Sequence, residues 1–459
     1  MNAFNNTPAP LRAMELFAGV GGFRQGLQAI NSDATEQKID VVWSNQFEPG
    51  SKRQHAAQVY KARWGETGFV NRDIFEVLKD EVAMADIDAL APNMLVGGFP
   101  CQDYSVAKSA SKSEGIEGKK GVLWWSIHRM LEARLNAGTP VQYVLLENVD
   151  RLINSPTTCR GRDFAIILAS LQSIGYAAEW RVVNSADYGF PQRRKRVFIV
   201  AYHASTQAYR DMQTAHAQAW LTDAGTLAQA LPVMLKPDAT MTVFALPADV
   251  LEAQAGYTSD KGKTRFKSAG LYLNGEVKTV ALQVAQITDY TRYVGQCAAM
   301  TLGDVVGATV RVAPAFFIDA TALPRWQYLK AAKAISRIAA SGFEYTFAEG
   351  TMAFPDALDR PSRTIITSEG GASASRTTHV VCDANGHLRR LVPEELEALT
   401  GLPRGFTDGC GLPDSRRAFL MGNALVTGLV QLIGTALVER HSAESSGGGG
   451  KPLHTLKQR

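Results

Sequence analysis

The segment Gly98-Phe99-Pro100-Cys101-Gln102-Asp103-Tyr104-Ser105 holds the residue types best suited to covalent chemistry. Cys101 follows a glycine and a proline, close behind the apolar run Met94-Leu95-Val96, which places it on a rigid turn at a strand end. Alone, such a cysteine remains compatible with a buried structural thiol. Two other segments bear on it. Glu147-Asn148-Val149 closes the apolar run 141–146, and Gln192-Arg193-Arg194-Lys195-Arg196 leads directly into Val197-Phe198-Ile199-Val200-Ala201. Singly, Glu147 fits a surface ion pair and the basic run fits a solvated turn. In an open sheet, however, strand ends distant in sequence converge on one edge. There a thiol nucleophile, a carboxyl group and one or two guanidiniums can surround a planar heterocycle.

A second motif sits near the start. The strand 13–17 runs into Phe17-Ala18-Gly19-Val20-Gly21-Gly22, and Phe23, Leu27 and Ile30 then recur at helical spacing. Closely spaced glycines let a backbone turn sharply and approach a ligand, although an ordinary strand-to-helix turn has the same composition. The lysine of a phosphate-binding GxxxxGK[ST] loop is missing, which disfavours ATP or GTP chemistry. Asp73-Ile74 follows another strand and can supply a polar contact or simply a helix cap.

Strands over 13–17, 40–45, 94–96, 141–146 and 197–201, alternating with amphipathic segments, predict an α/β fold with an open, mostly parallel sheet. The expected organisation is a cofactor-binding and catalytic domain over 1–200 and a smaller, irregular domain over 201–385. A C-terminal segment over 386–441, with a helix over 423–439, returns to the first domain. A mobile tail, 442–459, contains four consecutive glycines. The 459 residues are 46% hydrophobic and 20% charged, which suits a globular protein; the net charge of +4 hints only weakly at a polyanionic partner. Five cysteines without a CxxC pair argue against a disulfide framework or structural zinc. No secretory leader or uninterrupted membrane-spanning run is legible, so a cytoplasmic protein is expected. Two basic segments stand out: 105–122, with Lys108, Lys112, Lys119 and Lys120 among glycines, and 261–267, with Lys261, Lys263, Arg265 and Lys267. Either is a solvated face or a set of phosphate contacts.

MELFAGVGGF, GGFPCQDYS, ENVDR, YGFPQRRKRVFIV, LRRLVPEELEALTGLP and MGNALV, in that order, resemble the DNA cytosine-5 methyltransferases over nearly the whole chain. The resemblance implies the S-adenosylmethionine-dependent methyltransferase fold, with the central region as target-recognition domain. It implies Cys101 as nucleophile at C6 of a flipped cytosine, Glu147 at N3 and the exocyclic amine, and Arg194 and Arg196 as the family arginines. Gln102, Ser105 and Asn148 would support substrate binding. Phe17, Gly19, Gly21, Gly22, Gln46, Phe47, Asp73 and Asn423 would line the S-adenosylmethionine pocket, with no metal. Gln46 departs from the family, which commonly carries a glutamate there for the ribose hydroxyls. The implied partners are double-stranded DNA and a separate cognate restriction endonuclease, with the enzyme a monomer in a bacterial restriction-modification setting. An RNA cytosine-5 methyltransferase is the nearest alternative, disfavoured by the large central region. A noncatalytic DNA-binding protein is disfavoured because nucleophile and cofactor turn are both present.

Overall fold

A computed structural model of the chain describes residues 9–32, 36–99, 122–309, 311–338 and 342–445. The apolar runs become the middle of a sheet. Strands β1 (Leu11–Leu16), β2 (Ile39–Asn45), β3 (Phe69–Val70), β4 (Met94–Gly98) and β5 (Tyr143–Val149) lie parallel in the order β3-β2-β1-β4-β5. Central parallel strands bury both faces, which is why β4 and β5 read as near-continuous hydrophobic runs. The chain steps from β1 to β2 on one side and resumes at β4 on the other, so the direction of strand order reverses beside β1. That is the position where open sheets bind ligands, at the carboxyl ends of the strands.

Helix α1 (Gly22–Gln28) leaves β1, α2 (His55–Trp64) joins β2 to β3, and α3 (Ile74–Lys79) and α4 (Glu81–Ala89) join β3 to β4. Helix α5 (Val122–Asn136) precedes β5, and α6 (Arg162–Ser173) follows it, burying Phe164, Ile167, Leu168 and Leu171. Beyond β5 the sheet turns antiparallel. β7 (Lys195–His203) pairs with β5 on one side and with β6 (Tyr176–Asn184) on the other.

The sheet does not stop there, and the expected boundary at residue 201 falls inside the first unit. A short strand β8 (Val233–Leu235) pairs elsewhere, but β9 (Thr242–Ala245), β10 (Ala269–Leu273) and β11 (Glu276–Val280) extend the main sheet to ten strands, with β10 bonded to β6. Asn274 and Gly275, at φ 50° and 77°, make the tight turn between β10 and β11. Chain segments up to 184, 195–287 and from 427 onward therefore form one compact unit, and 185–194 with 288–426 form the other.

The C-terminal helix belongs to the first unit. It runs Thr427–Ser445, later in both start and end than the expected 423–439, and its last turn occupies residues assigned to a mobile tail. It packs on α1 so closely that a Cβ at Gly26 would lie 2.5 Å from the Thr427 carbonyl oxygen. By length and composition alone the stretch Asp414–Ser445 could cross a membrane, but 67% of its most apolar window is buried. Core helices pass the same test.

In the first unit β8 pairs with β12 (Leu282–Val284). The second unit is smaller and irregular, built on hairpins β13 (Lys333–Ile338) with β14 (Glu344–Glu349) and β15 (Val380–Cys382) with β16 (Leu388–Arg390). Buried carboxylates organise it. Glu397 accepts the backbone N–H groups of Gly405, Phe406 and Thr407 at 2.6, 3.1 and 2.9 Å. Asp356 takes a two-pronged bond from Arg363 at 2.7 and 3.1 Å, and Glu395 another from Arg389 at 2.7 and 2.9 Å. Such fully paired charges fix a geometry that a small apolar core could not.

Candidate active site

In the parallel ladder Gly98 lies in register with Glu147, so β4 and β5 deliver their last residues to the same point on the sheet edge. Asn148, 3% exposed, donates from Nδ2 to the Phe99 carbonyl at 2.8 Å, tying the two strand ends together. Its Oδ1 accepts the Val149 N–H at 2.8 Å. On the other side Arg196, from β7, places Nε 2.8 Å from Glu147 Oε1, with both side chains largely buried. The contact is an ion pair without hydrogen-bond alignment, and Glu147 Oε1 keeps unused acceptor capacity among the described residues. A carboxyl so placed can meet a ring nitrogen or amine while Arg196 holds it.

Arg194 is spent differently. Its guanidinium donates to the carbonyl oxygens of Ile365 and Gly422, both at 3.2 Å, inside the second unit. The family resemblance makes Arg196 the better candidate for a base contact and Arg194 a support of the geometry; the structure places Arg196 beside Glu147 and spends Arg194 on backbone carbonyls.

The glycine turn lies at the carboxyl end of β1. Phe17 adopts φ 56°, a left-handed conformation costly for a bulky residue, and such outliers gather where function over-determines the backbone. Gly21 must lack a side chain: its φ is 87°, and a Cβ would fall 2.1 Å from the Trp64 ring. Gly19 faces the opposite situation, with nothing within 4 Å of its Cβ position. The bent backbone at Gly19 therefore leaves room for a ligand to approach it. Gln46 Oε1 accepts the Gly19 N–H at 2.7 Å, so this side chain braces the turn. Asp73 caps α3 through the Phe75 N–H at 2.8 Å, the plainer of the two roles its sequence context allowed. Asn423 ends the helix Asp414–Asn423 of the second unit, exposed.

Sequence reading missed the group behind this turn. Glu15 is wholly buried on β1; its Oε1 accepts the Arg24 N–H at 3.3 Å and its Oε2 the Tyr60 hydroxyl at 3.1 Å. Tyr60 also meets the Ser44 hydroxyl, and Arg24 Nη1 donates to the Tyr60 oxygen at 3.1 Å. This knot ties β1, β2, α1 and α2 around the turn. Burial pushes the Glu15 carboxyl up to about 7, against hydrogen bonds from Tyr60 and Arg24 that favour the anion. The signal was present: a lone acidic residue inside an apolar strand.

Cys101, Gln102, Ser105, Lys108, Lys112, Lys119 and Lys120 lie outside the described residues. Lys261, Lys263, Arg265 and Lys267 lie in the first unit, not in a separate domain.

Residues 11–439 match the family of C-5 cytosine-specific DNA methylases. The chain is 38% identical over 428 residues to the type II methyltransferase M.Sau3AI of Staphylococcus aureus, covering 93% of this chain and 95% of that protein. It is 32% identical over 198 residues to M.NgoBI of Neisseria gonorrhoeae, 43% of this chain and 52% of that one. In fold it resembles the S. pombe Dnmt2 methyltransferase, with TM-score 0.53 at 14% identity over 94% of this chain and 99% of the other.

Two outcomes are expected. Because folded Glu15 holds its proton more tightly than the unfolded chain does, its contribution to stability falls as pH rises from about 4.5 toward 7. Urea unfolding at pH 5 and pH 7.5 should show the wild type losing up to about 3 kcal/mol relative to Glu15→Gln; parallel curves would show that the carboxyl does not titrate there. Asn148→Ala should cost about 1–3 kcal/mol by melting, since it frees a buried carbonyl. Its turnover should drop on the order of 10- to 100-fold, because the strand ends lose register.

Proposed function

Because the chain belongs to the C-5 cytosine-specific DNA methylases, we propose that Cys101, Glu147 and Arg196 carry out its reaction. The enzyme transfers a methyl group from S-adenosylmethionine to C5 of cytosine in double-stranded DNA. The pairing of Glu147 with Arg196, beside the Asn148 tether to Phe99, carries this residue assignment.

The target carbon is inaccessible inside stacked duplex, so the cytosine must leave the stack, at a cost of a few kcal/mol. The Cys101 thiolate adds to C6, forming an S–C6 bond and shifting the C5=C6 electron pair toward C5. Glu147 meets N3 and the exocyclic amine, drawing electron density away from C6 and stabilising the activated ring. Arg196 holds that carboxyl and reaches toward O2. C5 takes the methyl group, the S–CH3 bonding pair leaving with S-adenosylhomocysteine, and gives up its proton to water; the electron pair of the C5–H bond then restores the ring double bond and expels the thiolate. Bound S-adenosylmethionine supplies the electrophilic methyl on a positively charged sulfur. Phe17, Gly19, Gly21 and Gly22 would hold it, with Phe47 against the adenine, Asp73 and Asn423 as polar contacts and Gln46 near the ribose. The open space at Gly19 and the strained Phe17 support that pocket.

Arg194 fits a positioning role, since backbone carbonyls take its donors. Gln102, Ser105 and Asn148 serve the substrate loop, and Lys108, Lys112, Lys119 and Lys120 phosphates. The second unit is the target-recognition region, as its short hairpins and loops suit base reading. The bacterial type II relatives support a restriction-modification setting with a separate endonuclease, and a cytoplasmic enzyme. One chain holds every proposed catalytic group, which suits a monomer.

Methylation of a genomic DNA library, followed by base-resolution mapping, tests this reading. The product should be 5-methylcytosine in one sequence context, and Cys101→Ala should abolish it while still binding DNA. Methyl at cytosine N4 or adenine N6, or full activity without the thiol, would refute it.

A further inference from the structure

Past Glu147 and Asn148, the chain enters a 3-10 turn (Asp150–Asn154) and a loop that together expose Arg151 and Arg160. A segment distant in sequence is fastened to this loop. Thr264 Oγ1 donates to the Ile153 carbonyl at 2.7 Å, and the Tyr257 hydroxyl donates to the Arg160 carbonyl at 3.3 Å. Gly161 makes the fit possible, because a Cβ there would lie 2.3 Å from the Tyr257 hydroxyl and 2.5 Å from Thr264 Oγ1. Behind the seam, Tyr257 stacks on Phe266 with ring centres 5.7 Å apart.

The fastened segment exposes Lys261, Lys263 and Lys267. None of these five cations forms an ion pair among the described residues. Arg265 is excluded from the set: half-buried, it lies 3.9 Å over the Phe244 ring and serves packing. Lys261 is the telling member. Asp260 and Lys263 exchange both backbone hydrogen bonds at 2.8 Å around Lys261 and Gly262, at φ 47° and 74°. A two-residue turn of this kind selects asparagine before glycine. The chain instead keeps a lysine in a strained left-handed conformation, and strain of this sort is retained where a residue has a task beyond the fold.

We propose that Arg151, Arg160, Lys261, Lys263 and Lys267 form a phosphate-binding strip on the catalytic unit that grips the DNA backbone and is welded to the turn and loop that follow the strand carrying Glu147. The inference rests on the assigned DNA substrate, and it moves part of the DNA grip from the target-recognition region onto the catalytic sheet. Phosphate contacts position a protein without reading bases, so the strip should act on every sequence alike.

The test uses the full chain and fluorescein-labelled duplexes, one with the methylated context and one unrelated, titrated over potassium chloride. Each lost phosphate contact should lower the slope of log affinity against log salt by about 0.9. Lys261→Asn should weaken both duplexes and lower the slope by about one contact, while its melting temperature rises as the turn relaxes. Replacing all five with glutamine should lower the slope by up to about 4.5 on both duplexes, whereas arginine at the three lysines, with Arg151 and Arg160 kept, should leave it at the wild-type value. An unchanged slope in the folded five-site variant would overturn the strip, as would weakening confined to the methylated context, which would mean base reading. Absence of 5-methylcytosine with wild-type enzyme would strike the assigned chemistry and leave the salt slopes to be judged separately.

Discussion

Asn148 is buried at the end of a central strand, where an amide must find partners or lose several hydrogen bonds to water. It finds one across the gap to the neighbouring strand, on the carbonyl of Phe99. That bond fixes how far apart β4 and β5 may drift at their carboxyl ends. Phe99 precedes Pro100 and Cys101 by one and two positions, and Glu147 precedes Asn148 by one. Parallel pairing already sets Gly98 against Glu147. The amide turns this register into a lock, and the Arg196 ion pair from β7 sets the direction of the carboxyl. Strand pairing, one side-chain hydrogen bond and one ion pair thus converge on a single edge.

The glycine turn is held on the same edge by opposite means. Around Asn148 the tie is a single bond; around the turn it is a buried polar knot in which Glu15, Tyr60, Ser44 and Arg24 leave little freedom to β1, β2, α1 and α2. Trp64 fills the space that a side chain at Gly21 would need, and the open side of the turn lies at Gly19. Packing on one face and vacancy on the other give the turn its direction.

Much of this edge was legible from residue order. Glycine clusters, the apolar run that ends at Glu147 and the one that begins after Arg196 each have a local physical cause, and a sheet collects their ends. Tertiary pairings were harder. Arg194 and Arg196 stand two apart in one basic run, yet only coordinates show one bonded to backbone carbonyls and the other beside Glu147. The extension by β9, β10 and β11 was overlooked although Asn274-Gly275 between two apolar segments is a strong hairpin signal. Its five-residue strands β10 and β11 stayed inside the irregular domain expected over 201–385, because neither is long enough to display a clear period. Glu15 was passed over because partners from helices distant in sequence decide whether a buried carboxyl is tolerated.

Methyl transfer by this route requires a single thiol to join the ring. A duplex carrying 5-fluorocytosine in the methylated context tests it most directly, because fluorine replaces the proton that must leave C5 and the adduct cannot resolve. After incubation with enzyme and S-adenosylmethionine, denaturing electrophoresis should show a protein–DNA species, and peptide mass mapping should place the nucleotide on Cys101. A covalent link at another residue, or transfer to ordinary cytosine with no trapped species on the fluorinated duplex, would contradict it.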